Sequence, residues 1–181
     1  FNEKKIKEEL ESISNEIKSS KNEINEFNCK QEFKESDFII LRTLYQKEGA
    51  NYLLVMQADT FYIFMLERII NSKISKKMVQ RIEKIYSNPH RCITPIYGLI
   101  KEDNKIVDVI YEYMSNGPLN KYISKFNNIK AITTSIRIFQ GIEHLHKKGL
   151  IHRDLKPSNI LIDHDGLAYI SDFETIRSND L

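Results

Sequence analysis

Apolar residues recur along the start of the chain at Ile6, Leu10, Ile13, Ile17, Ile24 and Phe27, in alternating steps of four and three, with Ser20 where another is due. That spacing is a heptad seam and predicts an amphipathic, coiled-coil type helix over residues 1–33. Glu9, Glu16 and Glu23 fall on one flank of the seam and Lys7 and Lys21 on the other, an arrangement suited to charge pairing between neighbouring helices. A homo-oligomer formed through residues 6–27 is therefore expected. The alternative is one amphipathic helix laid on the domain that follows, since about three heptads with a polar core position are short for independent stability.

Polar residues 34–37 separate this helix from Phe38-Ile39-Ile40-Leu41, and further β-type runs follow at Tyr52-Leu53-Leu54-Val55-Met56 and Phe61-Tyr62-Ile63-Phe64-Met65-Leu66. Turn-like stretches between them point to a small antiparallel sheet. Residues 72–87 carry Met78, Val79, Ile82 and Ile85 at helical spacing, with Lys73, Lys76, Lys77, Arg81 and Lys84 on the other faces, which reads as a solvated helix face rather than a docking patch. Strand-like segments at 93–100 and 106–113 come next, then a Gly117-Pro118 turn and a long amphipathic stretch over 129–146. Sheet first and helices second is the order of an α+β protein with two lobes. No internal repeat is visible.

Charge and composition narrow the function classes. The net charge of +2, from 27 basic and 25 acidic residues, supplies no global field toward nucleic acid or an anionic membrane. The apolar runs fall far short of the roughly 20 residues a membrane-spanning helix needs. Cys29 and Cys92 are far apart and form neither a disulfide framework nor a CxxC motif, which fits a reducing cytoplasmic, intracellular setting.

The chemistry concentrates near the end of the chain. His152-Arg153-Asp154-Leu155-Lys156-Pro157-Ser158-Asn159 follows a helix and precedes the apolar strand Ile160-Leu161-Ile162, with a turn at His164-Asp165-Gly166, a further strand to Ile170, and then Asp172-Phe173. Phosphoryl transfer needs a carboxylate to orient the attacking hydroxyl, a cation near the transferring phosphate and oxygen ligands for Mg²⁺. Asp154, Lys156, Asn159 and Asp172 offer those groups. His144, His146 and His152 could suggest a metal site, but helix and loop account for all three, and no carboxylate or thiolate completes a ligand set.

These motifs resemble the catalytic loop and metal-binding segment of the protein kinase family, in its Ser/Thr-type version with Lys-Pro after the leucine. The resemblance implies a two-lobed kinase-like fold: small lobe and hinge over 34–114, and the start of the large lobe over 115–181. It implies Asp154 as base, Lys156 as phosphate contact, and Asn159 and Asp172 as ligands of Mg²⁺. Tyr111-Glu112-Tyr113-Met114 resembles the gatekeeper and hinge, so Glu112, Met114 and Leu161 are expected at the adenine of ATP, with protein as substrate or signalling partner.

Departures from the family pattern cluster in the small lobe. Aligning Leu44 with the residue before the Gly-rich loop puts Tyr45, Lys47 and Ala50 at the glycine positions, with Gly49 nearby. Tyr52 stands where a small valine would cover the adenine, Met65 where a lysine would hold the α and β phosphates, and Arg81 where its glutamate partner belongs. Tyr52 and Ile63 are together expected to fill the pocket. Glu83 is about 200° round the helix from Arg81 and cannot stand in. Glu174 adds a Cβ and a negative charge where glycine is usual. Lys47 could reach the phosphates from above, as in with-no-lysine kinases. The chain stops at Leu181 before the activation segment, the peptide-binding platform and later helices, so a fragment of this extent is not expected to phosphorylate protein. Two functions follow: a Ser/Thr-type kinase with a degenerate small lobe, or a pseudokinase binding and scaffold module gathered by its heptad helix.

Overall fold

The computed structural model describes residues 33–47, 49–70, 76–103 and 105–178. The heptad segment, residues 6–27, lies outside the described residues. Five antiparallel strands form the first sheet: β1 (Phe38–Lys47), β2 (Ala50–Gln57), β3 (Ile63–Ile69), β4 (Ile96–Glu102) and β5 (Lys105–Glu112), with helix α1 (Lys76–Tyr86) between β3 and β4. The spatial order is β1-β2-β3-β5-β4, so β5 closes back against β3.

Period-two alternation divides the residues of β2 and β3 between the faces of the sheet. Tyr52, Met65 and Glu67 belong to one face, where Met65 and Tyr52 join the main core with Ile82 and Ile85 of α1. Leu53, Val55, Phe64 and Leu66 belong to the other and form a second core with Ile100, Ile110 and Phe33. The ring of Phe33 lies where a side chain on Gly98 would stand, 2.2 Å from the place a Cβ would take, so only glycine fits there.

The second half of the chain contributes β6 (Gly117–Pro118), α2 (Asn128–Lys147), β7 (Leu150–Ile151), β8 (Ile160–Ile162), β9 (Ala168–Ile170) and β10 (Arg177–Ser178). Helix α2 begins at Asn127, whose side chain accepts a hydrogen bond from the Lys130 amide at 2.8 Å and so satisfies one of the free amides of the first turn. Gly141 lets α2 lie directly on β9: a Cβ there would sit 2.7 Å from Ile170 Cδ1 and 3.0 Å from the Cys92 carbonyl.

The halves are tied by backbone. Ile93 bridges Ile170, the Thr94 amide donates to the Ile170 carbonyl at 2.8 Å, and the Ile170 amide donates to the Cys92 carbonyl at 2.9 Å. Asp172, two residues beyond Ile170, is thereby held close to the segment that leads into β4. No helix among the described residues is long and apolar enough to cross a membrane.

Candidate functional site

Three segments meet at the site: the β1–β2 turn, the loop between β7 and β8, and the residues just after β9. The loop is held from within. Asn159, buried at the end of a short 3₁₀ turn opened by Pro157, donates its side-chain amide to the Asp154 carbonyl at 2.8 Å and to Asp154 Oδ2 at 3.0 Å. Lys156 Nζ lies 2.6 Å from the same Oδ2. The Lys156 hydrogen bond holds the Asp154 carboxyl below the usual carboxylate range, with Asn159 adding to it. Asp154, Lys156 and Asn159 therefore form one constellation, with an ionised and partly exposed carboxylate at its centre.

Asp172 is joined to that loop through its neighbours. The Ser171 amide donates to the Asn159 carbonyl at 2.9 Å, His152 Nε2 lies 2.8 Å from the Ser171 carbonyl, and the Thr175 hydroxyl donates to the His152 carbonyl at 2.8 Å. Arg153 and Asp172 both take positive φ, 71° and 64°, a backbone region that L-residues rarely adopt and that costs of order 1–3 kcal/mol each. One of these residues precedes Asp154 and the other is the candidate ligand Asp172 itself.

Lys47, from the end of β1, closes the constellation from above. Its Nζ is 2.7 Å from Asp172 Oδ2 and 3.6 Å from Glu174 Oε1, and lies 5.5 Å from the centre of the Tyr52 ring. Burial opposes the charge on Lys47, but the Asp172 hydrogen bond and the fields of Asp172, Glu174 and Glu67 outweigh it and raise its pKa. Asp172 is thus already paired with a cation supplied by this chain.

The small-lobe side is filled by tyrosines and acids. Tyr45 stacks on Tyr52 with ring centres 4.3 Å apart. The Tyr52 hydroxyl is 2.9 Å from Glu67 Oε1 and 2.9 Å from Glu174 Oε1, while the Tyr111 hydroxyl is 2.9 Å from Glu67 Oε2. Burial holds the Glu67 carboxyl above its usual range. The hydrogen-bonded contacts with Tyr111 and Tyr52 pull the other way, and the charges of Glu174 and Asp172 push it further up. Burial likewise raises both Tyr52 and Tyr111, so these phenols stay protonated.

The register corrects part of the sequence reading. Met65 pairs with Tyr111 and Glu67 with Val109, so two residues of β3 face the cleft. The polar head that converges on this region is that of Glu67, two residues beyond Met65, the residue expected at the lysine position. A buried acid thus occupies the region where a cation is expected. Its signal was present in the strand's alternation, which puts residues 63, 65 and 67 on one side. The predicted partner of Tyr52 is corrected too: Ile63 is exposed and pairs with Met56, and Tyr52 packs with Tyr45, Glu67 and Glu174 instead. Helix α1 turns Met78 and Ile82 toward the cavity, and Glu83 pairs with Lys101 at 2.6 Å.

The hinge residues stand apart from this cluster. Glu112 ends β5 opposite Phe64, and its amide donates to the Pro95 carbonyl at 3.0 Å. Met114 is buried with its carbonyl accepting from Gly117, and Leu161 pairs across β8 with Pro118 and Tyr169. None of the three lines the cavity beside Lys47 and Asp172.

That cavity holds about 20 Å³. A water needs some 10–15 Å³ on the same scale, so this part of the cleft, between Lys47 and α1, has room for about one water. Asp172 and Asn159 are oxygen-bearing groups of the right type for Mg²⁺, but Asp172 is engaged by Lys47 and the space beside it is taken by Tyr52 and Glu174. In this geometry Asp172 is held by Lys47 rather than open to a magnesium ion.

Comparison with known proteins agrees with the fold and the loop. Residues 54–179 match the family model described as protein kinase domain. The chain is 32% identical over 145 residues to an Aurora kinase of Saccharomyces cerevisiae, covering 76% of this chain and 39% of that protein. An Aurora kinase of Schizosaccharomyces pombe is 30% identical over 151 residues, covering 79% and 42%. A mitogen-activated protein kinase kinase 1c of Physcomitrium patens is 33% identical over 153 residues, covering 76% and 42%. The chain spans about two fifths of the length of these relatives. Matching over most of its length and carrying the loop that holds Asp154, Lys156 and Asn159, the chain belongs to the protein kinase family.

Proposed function

We propose that this chain works as a pseudokinase-type binding module, a kinase-fold surface whose nucleotide site is closed by its own side chains. The observation that carries the reading is the occupied phosphate region: Lys47 on Asp172 at 2.7 Å, with Tyr52, Glu67 and Glu174 filling the space beside it. Kinase rate enhancement rests almost wholly on positioning and charge neutralisation. Glu174 adds negative charge beside Asp172, and Glu67 fills the space with a group that is no cation. In this reading residues 34–114 are the small lobe and hinge, 115–181 begin the large lobe, and the heptad segment 6–27 gathers copies of the chain around an intracellular signalling partner.

A second reading has its own support. The intact cluster of Asp154, Lys156 and Asn159 favours phosphoryl transfer to protein serine or threonine, with Lys47 supplying the cation that the cleft-facing residues of β3, Met65 and Glu67, do not. The two readings separate in one experiment, the melting temperature of the chain with and without saturating Mg-ATP and with Asp172→Asn as control. A ligand at about 100 times its dissociation constant stabilises a fold by roughly 2.7 kcal/mol. The binding-module reading expects no shift. A magnesium-dependent rise abolished by Asp172→Asn supports the kinase reading instead.

A further inference from the structure

The hydrogen-bond count around Glu67 leads beyond occlusion. Three oxygen–oxygen contacts of 2.9 Å join Tyr52, Tyr111, Glu67 and Glu174, and the two phenols supply only two protons. A contact of that length between two oxygens needs a hydrogen between them. The third proton therefore belongs to a carboxyl. Glu67 is 6% exposed while Glu174 is at the surface, so desolvation assigns it to Glu67.

The resulting chain has a direction. Neutral Glu67 donates from Oε1 to the Tyr52 oxygen, Tyr52 donates to the Glu174 carboxylate, and Tyr111 donates to Glu67 Oε2. The groups facing Glu67 from every side are consistent with this. Among the described residues, Tyr52 comes from β2, Tyr45 and Lys47 from β1, Tyr111 from β5, Asp172 and Glu174 from the segment after β9, and Met78 and Ile82 from α1. Lys47, the cation among the described residues that line this cavity, is committed to Asp172.

We propose that Tyr52 is the positioning residue of the Asp172–Glu174 segment: its hydroxyl, relaying a hydrogen bond from neutral Glu67 to Glu174, latches that segment to the small-lobe sheet. A relay of neutral acid, phenol and carboxylate thus stands where the family uses an ion pair between the sheet and α1. The latch joins β2, β3 and β5 to the segment carrying the metal ligand and bypasses α1. It deepens the binding-module reading, since a segment latched in this way keeps the phosphate region shut.

The test needs no nucleotide, so its failure is distinct from failure of that reading. Amide hydrogen exchange is followed at Ser171 and Ile176, whose amides donate within this region to Asn159 and Phe173, with the amides of α2 as internal reference. Tyr52→Phe keeps the ring and removes the relay, and it is expected to speed exchange at Ser171 and Ile176 about tenfold or more, the loss of one hydrogen bond to a charged group, while α2 is unchanged. Glu67→Gln reproduces a neutral carboxyl, its amide nitrogen donating to Tyr52 and its oxygen accepting from Tyr111, and is expected to keep the parent rates. Parent rates in Tyr52→Phe would overturn the latch. Exchange in Glu67→Gln as fast as in Tyr52→Phe would overturn the neutral acid on which the relay depends.

Discussion

Lys47 Nζ lies 2.7 Å from Asp172 Oδ2, although 125 residues separate the two in the chain. The turn that should cradle phosphate with bare backbone instead sends a cation down onto the residue that should hold the metal. The pair is about one-third exposed on the lysine side, so its worth to stability is small, within about 1 kcal/mol. Lys47→Met is therefore expected to leave the denaturation midpoint almost unchanged while freeing Asp172 for a divalent ion. Manganese titration followed by electron paramagnetic resonance checks this, with tighter binding in the variant than in the parent.

Asn159 is expected to matter more for stability than its place in a surface loop suggests. Its buried side chain satisfies the Asp154 carbonyl and carboxylate together. Asn159→Ala leaves that carbonyl without its donor and should cost about 1–3 kcal/mol in urea denaturation. Asn159→Asp, which sets a second carboxylate against Asp154, should cost more.

Gly141 reports on the seat of the Asp172 segment. A methyl group at this position meets Ile170 and the Cys92 carbonyl, so α2 must lift from β9. Gly141→Ala is expected to destabilise by about 1–3 kcal/mol, despite alanine's better helix propensity. A stabilised variant in the same denaturation experiment would show that α2 can shift without cost.

Acid should weaken the packing between α2 and the segment before β4. His90 and His144 stack with ring centres 4.5 Å apart. Burial, then the charges of His144, Arg91 and Arg137, push His90 down to about 4. Because the folded value is depressed, the contribution is present above the ordinary value of 6.5 and is lost as pH falls toward about 4. His90→Gln should flatten the loss of stability across that window, measured by denaturant titration at each end of it.

How much of this was legible in the sequence differs between the two ends of the described chain. Asp154, Lys156, Asn159 and Asp172 lie within one short stretch, and local turn chemistry brings the first three together without help from distant residues. Helices α1 and α2 and strands β8 and β9 also follow from the spacing of their apolar residues. In the small lobe the function of a residue depends on strand register, which one-residue slips invert. Met65 and Glu67 share a face, and only the pairing of β3 with β2 and β5 shows that Glu67 meets Tyr52 and Tyr111. The Tyr52–Glu174 contact spans 122 residues, and no local pattern encodes it. Lys47 was readable as a candidate cation, but its engagement with Asp172 depends on where the whole large-lobe segment comes to rest.

The central claim, a nucleotide site closed by Tyr52, Glu67, Glu174 and the Lys47–Asp172 pair, is tested most directly by calorimetric titration of Mg-ADP into the folded chain. The account predicts heats indistinguishable from dilution in the parent. Saturable one-to-one binding that disappears in Asp172→Asn would contradict it.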